Sequence, residues 1–406
     1  MAAYSKYHFA LFRIIFGSYL ALHFAYLIPW VDDIWSNQGV LADPTLNFTY
    51  GAFPNPLWLW DAPIVVTLFV TALFVASIFM VLGYFRRSAS LFLWFGWACL
   101  FHRNNLISNP GIPMVGWLLL ACALIPKGEA WSLKRTDTIA PQWALPKELF
   151  WGAWIIAGVA YTLSGIDKAM APSWRDGTAI IHLLNNPLAR DYFWVDLLAA
   201  LPMWVHKLLT WSTLALEIGF GVLCFFRKTR LFAWLAIMAL HLGILTVIDF
   251  ADLTFGVILL HLFTIEPRWF INAGQETKNK IVFFDGVCGL CNQTVNTLIG
   301  MDSARQLRFS PLQGKAAAHT LPEDLRAELD SIAYLRGSEI YTRSTAVLYM
   351  LRDLGGIWYF TSFALWIPKP LRDVLYNWVA RNRYRWFGKE SACRLPSPEE
   401  RALFLD

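Results

Sequence analysis

The chain has 406 residues, of which 57% are hydrophobic and only 16% charged, with 21 tryptophans and a mean hydropathy of +0.44. Soluble domains carry about a quarter charged residues, so this balance excludes a wholly soluble protein. A formal net charge of +5 is too modest to argue for a nucleic-acid partner, and the composition points to a lipid bilayer instead.

In chain order, apolar runs that approach the ~20 residues needed to cross a bilayer come first. They predict eight transmembrane helices near 8–31, 62–85, 88–107, 112–126, 148–170, 203–226, 231–249 and 252–267. The third, fourth and eighth are short or interrupted. If 88–126 forms one broken re-entrant unit, the count falls to seven.

The basic residues are unevenly shared between the loops. One set carries Lys6, Arg86, Arg87, Lys127, Lys134, Arg135, Lys147, Arg227, Lys228, Arg230 and Arg268. The alternate set holds only Arg103, Arg175 and Arg190. By the positive-inside rule the N-terminus and the C-terminal domain are both cytoplasmic in a multi-pass protein of an inner or plasma membrane. Arg13, near the start of the first helix, reads as an anchor on that same side.

Ionisable groups inside a bilayer cost a few kcal/mol each and so mark functional sites. Three clusters stand out. His102 belongs to the polar turn 101–111, and Lys168 ends the run Tyr161-Thr-Leu-Ser-Gly-Ile-Asp-Lys168, with Trp174 beyond it. Glu217, His241 and His261 lie within later apolar runs, with Asp249 and Asp252 near the outer turn. A desolvated Lys168 would be a neutral amine able to accept a proton; the same residue would equally serve as an anchor that snorkels to the interface. Glu217 needs a partner or a proton, and His206, Lys207 or His241 could supply it. The histidines are also accounted for by hydrogen bonds between helices.

These pieces resemble the membrane domain shared by vitamin K-dependent gamma-carboxylases and their bacterial relatives, the HTTM family. The matching residues are His102-Arg-Asn104, Ser164-Gly-Ile-Asp-Lys168 with Pro172-Ser-Trp174, Glu217, and His241-Leu242, within about 5–265. The resemblance implies that Lys168 is the base and that a quinone or quinol binds on the outer half, near Lys168, His102, Glu217 and His241. The large soluble domain that follows the membrane part in the carboxylases is missing, which weakens the case for carboxylation itself.

From about 267 the chain reads as soluble and basic: a transmembrane domain over 1–267 is joined by a short polar linker at 268–280 to a unit spanning 281–406. Ile281–Phe284 predicts a strand, 288–300 a helix and 307–311 a second strand. A polar helix over Lys315–Leu329 is broken by Pro322. Ile332–Leu335 and Ile340–Thr342 flank the turn Arg336-Gly-Ser-Glu339, and Ser344–Leu354 is a helix stopped by Gly355-Gly356. This succession is an α/β unit of thioredoxin-like order. A last helix over 371–384 puts Leu371, Val374, Leu375 and Trp378 on one face among Arg372, Arg381 and Arg383. It would either lie on anionic lipid or pack to close the domain.

The first strand leads into Asp285-Gly-Val-Cys-Gly-Leu-Cys291. A cysteine at the mouth of a helix has its thiolate favoured by the first N–H groups and the helix dipole. Cys288 occupies that place, and Cys291 lies one turn on, positioned to resolve a mixed disulfide. Cys99, Cys122 and Cys224 sit in apolar runs and read as buried packing residues. Cys288, Cys291, Cys393 and His319 have the residue types of a zinc site, yet a single C-x-x-C without a second pair is weak, and no metal is expected.

The C-terminal stretch resembles the DCC family of thiol-disulfide oxidoreductases, named for the Asp-x-x-Cys-x-x-Cys motif. Here that motif is Asp285, Cys288 and Cys291, with further matches in Arg308-Phe-Ser-Pro-Leu-Gln313, in Ala346-Val-Leu running to Leu354-Gly-Gly356, and in Arg383-Tyr-Arg-Trp-Phe-Gly388 followed by Cys393. The resemblance implies a thioredoxin-like fold and a Cys288/Cys291 redox pair acting on a protein or low-molecular-weight thiol, with no cofactor required. Asp285 would help move protons. The loop before 331–336 lacks the proline that thioredoxins usually place opposite the disulfide.

Three functions follow. The first is a membrane-tethered thiol-disulfide oxidoreductase, coupled to a quinone-like lipid. In the second, a carboxylase-like enzyme uses Lys168 as base and the thiol domain as reductant. The third is a non-enzymatic scaffold for peptide maturation or export.

Overall fold

The structure, a computed structural model, describes residues 5–133, 143–249, 251–267, 269–270, 279–302, 304–327, 332–389, 396–398 and 400–405. Lys134, Arg135, Arg268, Cys393 and most of the 268–280 linker lie outside the described residues. The chain divides into two compact units, Phe9–Thr264 and Met1–His8 with Ile265–Asp406.

In the first unit, helices form at all eight expected positions. They are α1 (Lys6–Leu27), α2 (Pro63–Leu82), α3 (Arg86–Arg103), α4 (Gly111–Leu124), α5 (Lys147–Met170), α6 (Met203–Phe225), α7 (Arg227–Val247) and α8 (Ala251–Phe263). Among the described residues five are long and apolar enough to cross a membrane: α1 with its extension to Trp35, α2, α5, α6 and α7. The expectation of eight spans, or seven, is therefore corrected to five candidate spans in a polytopic helical region. The reason is length and charge. With 14 and 13 residues, α4 and α8 reach only about 20 Å at ~1.5 Å per residue, short of a ~30 Å hydrocarbon core. α3 has 18 residues but carries Arg86, Arg87, His102 and Arg103.

Helix ends in this unit are held by arginines. α2 starts on Pro63, whose missing N–H costs nothing there, and stops at Gly83 in the left-handed region (φ 66°). Arg13 is fully buried and donates to the Met80 and Val81 carbonyls at the end of α2, each at 2.9 Å. The residue expected to anchor the cytoplasmic side is thus an interior cap, because the last carbonyls of a helix lack partners and favour a cation. Arg86 donates to the carbonyl of Cys122 in the last turn of α4 and to those of Ile125 and Pro126 just after it, and pairs with Glu129 at 2.7 Å. Arg230 does the same for Cys224 and Phe225 at the end of α6.

The second unit carries β1 (Lys280–Phe284), α9 (Gly289–Met301), β2 (Arg308–Pro311), α10 (Lys315–Thr320), α11 (Glu323–Ala327), β3 (Ala333–Arg336), β4 (Glu339–Thr342), α12 (Arg343–Leu354) and α13 (Lys369–Phe387). The expected break at Pro322 is the gap between α10 and α11. The sheet order is β2-β1-β3-β4, with β1 parallel to β2 and antiparallel to β3. A parallel neighbour requires a crossover, and α9 supplies it. Phe283, Ala333 and Leu335 pack with Leu312, Ala317 and Leu321 on one face of the sheet, while Val282 and Phe284, also buried, point to the other by the two-residue repeat. Gly337 (φ 70°) makes the tight turn between β3 and β4. Arg336 forms a two-pronged pair with buried Asp353 at 2.8 and 3.0 Å, and Tyr334 donates to the same carboxylate at 2.8 Å, tying α12 to β3.

Candidate functional site

Strand β1 ends at Phe284 because Asp285 turns the chain: the Val287 N–H donates to its carboxylate at 3.2 Å and the Cys288 N–H to its carbonyl at 3.3 Å. Cys288 then takes an extended conformation (φ −89°, ψ 120°) as the N-cap of α9. Its Sγ accepts the Cys291 N–H at 3.4 Å, so the sulfur occupies the place that a serine or aspartate oxygen holds in an ordinary cap. This is the geometry expected from the C-x-x-C spacing. Both thiols are free, with Cys288 fully buried and Cys291 half-buried. Burial, followed by the hydrogen bond to Cys288, pushes the Cys291 thiol well above its ordinary value.

Asp285 is buried and richly held. Tyr384 donates to its Oδ2 at 2.5 Å, Gln313 Nε2 donates to Oδ1 at 3.1 Å, and the Arg383 guanidinium stands 3.6 Å from Oδ2. Gln313 follows β2, whereas Arg383 and Tyr384 come from the last turns of α13. The Tyr384 phenol is raised by burial and by its bond to Asp285. The segment after α13 lies over the turn: Cys288 bridges Lys389 in antiparallel fashion, and the Gly289 N–H donates to the Gly388 carbonyl at 3.3 Å. A Cβ on Gly289 would collide with the Phe387 carbonyl, so only glycine permits this approach.

The sequence assigns Gln313, Arg383 and Tyr384 no role beside the cysteines, although both segments that carry them match the DCC pattern. That pattern was the available signal. Which side chain each segment would deliver depends on long-range packing of α13. Among the described residues no group of three or more His, Cys, Asp or Glu is placed to hold a metal. His319 closes α10, and Cys393 lies outside the described residues.

In the helical unit, Lys168 and Glu217 meet. Lys168 Nζ donates to both Glu217 oxygens at 2.6 and 2.5 Å and to Ser164 Oγ at 3.1 Å, and it stands 5.3 Å from the centre of the Trp174 ring. The partner foreseen for Glu217 was His206, Lys207 or His241; the actual partner is Lys168. His206 bonds the Leu201 carbonyl at 3.0 Å instead. His241 and His261 are joined through Tyr161, whose hydroxyl lies 2.8 and 2.9 Å from their Nε2 atoms. His102 is held elsewhere, stacked on Phe53 with ring centres 5.2 Å apart. A cavity of about 210 Å³ is lined by Tyr19, His23, Trp35, Trp97, Asn104 and Asp252 among others, and none of Lys168, His102, Glu217 or His241 borders it.

Residues 282–389 match the family described as DCC1-like thiol-disulfide oxidoreductase. The chain is 37% identical over 136 residues to the uncharacterized protein YuxK of Bacillus subtilis (strain 168), covering 97% of that protein and 32% of this chain. It is 35% identical over 127 residues to the chloroplastic DCC family protein At1g52590 of Arabidopsis thaliana, covering 72% of that protein and 30% of this chain. No solved structure matches. At this identity, and over nearly the whole length of the bacterial relative, the chain belongs through its C-terminal domain to the DCC1-like thiol-disulfide oxidoreductase family.

Proposed function

We propose that the protein is a membrane-anchored thiol-disulfide oxidoreductase in which Cys288 is the nucleophile and Cys291 the resolving thiol. One observation carries this reading: Cys288 Sγ sits at the N-terminus of α9 and accepts the Cys291 N–H, the layout of a C-x-x-C exchange pair with its second thiol one turn on. The Cys288 thiolate attacks one sulfur of a substrate disulfide, forming a mixed disulfide and expelling the first substrate thiolate. Cys291 then attacks Cys288 Sγ, closes the Cys288–Cys291 disulfide and releases the second thiolate. Two electrons pass to the substrate, and the proton lost by Cys291 ends on a departing thiolate. Asp285 lies beside the pair as the candidate proton carrier, steadied by Tyr384 and Gln313. The reverse sequence oxidises a dithiol. The substrate is a protein or small-molecule thiol, and exchange itself needs no cofactor.

Mass spectrometry of a Cys291→Ser variant in cells tests this directly. It should show a covalent adduct on Cys288, while Cys288→Ser abolishes exchange. A clean thiol on Cys288 in the first variant would sink the assignment.

A second reading concerns the helical unit, and the Lys168–Glu217 pair beside Tyr161, His241 and His261 favours it. This constellation suits proton transfer to or from a lipid-soluble quinone or quinol, as the HTTM resemblance implies, and would also serve carboxylase-like chemistry. Because Lys168 already pairs with Glu217, the two act as one proton-holding unit, and Lys168 is not a lone base. Activity lost with Lys168→Met but kept with Cys288→Ser would favour this reading. Indifference to both would favour a scaffold. The boundaries 1–267 and 281–406 belong to the proposal, as does the cytoplasmic placing of the N-terminus and thiol domain; the loop charges support that placing, which needs an even number of crossings and so at least one shorter apolar helix crossing beside the five candidate spans.

A further inference from the structure

Helix α13 is built inside out for a soluble domain. Its inward face carries polar groups. Asp373 accepts Ser344 Oγ at 2.5 Å, Tyr376 accepts the Ile332 N–H at 3.0 Å, and Arg383 and Tyr384 reach Asp285. Its outward face is apolar. Leu371, Val374, Leu375 and Trp378 recur at helical spacing and are 55–68% exposed, and Trp386 extends the stripe two turns on. Just before the helix, Trp366 is 83% exposed.

An apolar stripe of this size on a soluble domain marks an interaction surface. Its charge says with what. Between 356 and 389 the chain has Lys369, Arg372, Arg381, Arg383, Arg385 and Lys389 against one acid, Asp373, which is buried. Arg381, Arg385 and Lys389 are exposed beside the stripe. A polar partner surface would leave the leucines and tryptophans wet, and a purely apolar one would strand the arginines. Tryptophan with Lys and Arg is the pairing that suits the headgroup region of a bilayer. The domain begins at Ile265, directly after the helical unit with its five membrane-length helices, so the chain itself keeps α13 at high local concentration near lipid.

We infer that the outer face of α13, with Trp366, docks on the headgroup surface of an anionic bilayer. This is independent of the thiol chemistry proposed above. It also adds to it, since the docked helix is the one that supplies Arg383 and Tyr384 to Asp285.

The test uses the full-length protein in nanodiscs of phosphatidylcholine alone or with phosphatidylglycerol added, read by hydrogen–deuterium exchange over 366–387. Anionic lipid should slow exchange there by about tenfold, and high salt should reverse it. The combined substitutions Arg381→Gln, Arg385→Gln and Lys389→Gln, all at exposed positions, should abolish most of that protection; Trp366→Ser should weaken it. Unchanged exchange over 280–311 would show that these variants remain folded. Equal exchange in the two lipids overturns the inference. So does protection that follows the number of copies per nanodisc and ignores lipid charge, which would mean a second copy of the chain covers the face.

Discussion

Tyr384 shows how much a single hydroxyl can carry. It is the shortest of the contacts on Asp285, and the carboxylate it grips is buried beside the two cysteines. Tyr384→Phe removes a hydrogen bond to a charged, buried group, so a loss of about 1–2 kcal/mol in stability is expected. The same change should alter the pH profile of thiol exchange, a readout that a purely structural role would leave in place. Cys291 makes the other prediction at this scale. Its thiol is raised by burial and by Cys288, so it is protonated at neutral pH and only a small fraction is nucleophilic. Resolution of a mixed disulfide should therefore accelerate with rising pH, by about tenfold per unit below that group's titration. Rapid-mixing measurement of substrate release between neutral and alkaline pH checks this, and a flat profile would contradict it. Asp285, Cys288 and Cys291 were legible from a seven-residue motif because a strand, a turn and a helix start are local. Arg383 and Tyr384 act across about a hundred positions of chain, and no local pattern says which residues of a helix will face a distant turn.

At the scale of elements, α5 and α6 are locked by small residues. A Cβ on Gly165 would stand 2.7 Å from the Ile218 nitrogen, and one on Gly221 only 2.6 Å from Thr162 Oγ1. This close approach brings Lys168 to Glu217, in the way small residues let membrane helices meet. Gly221→Leu should pry the helices apart and lower the thermal stability of the purified protein. Lys168→Met alone leaves Glu217 buried without its cation, at an expected cost of about 3–5 kcal/mol, and pairing it with Glu217→Gln should restore most of the loss. If the single and double variants melted alike, the ion pair would not be what holds this site. The outward apolar face of α13 belongs to the same scale. Its periodicity was plain in the sequence, where both lipid docking and packing inside the domain fitted it. The structure leaves the face exposed, so packing within the domain is not its use.

For the whole molecule, orientation in the membrane is the property to measure. The loop charges argue for a cytoplasmic thiol domain, but Arg86 and Arg230 are buried caps on helix ends, placed there by unpaired carbonyls as much as by membrane polarity. A cysteine added near Lys389 should resist a membrane-impermeant maleimide in intact cells and react after permeabilisation; labelling from outside would reverse the topology.

Composition and hydropathy by themselves determined a helical membrane region followed by an α/β domain, because burial periodicity and apolar length are properties of short windows. Spacing alone likewise marked the two cysteines proposed as the redox pair. Tertiary structure decided the rest. Which arginines cap helices, which lysine neutralises Glu217, and which tyrosine grips Asp285 are all pairings between distant segments. In each case a buried polar group had to find a partner, and only the folded chain shows which one lay within reach.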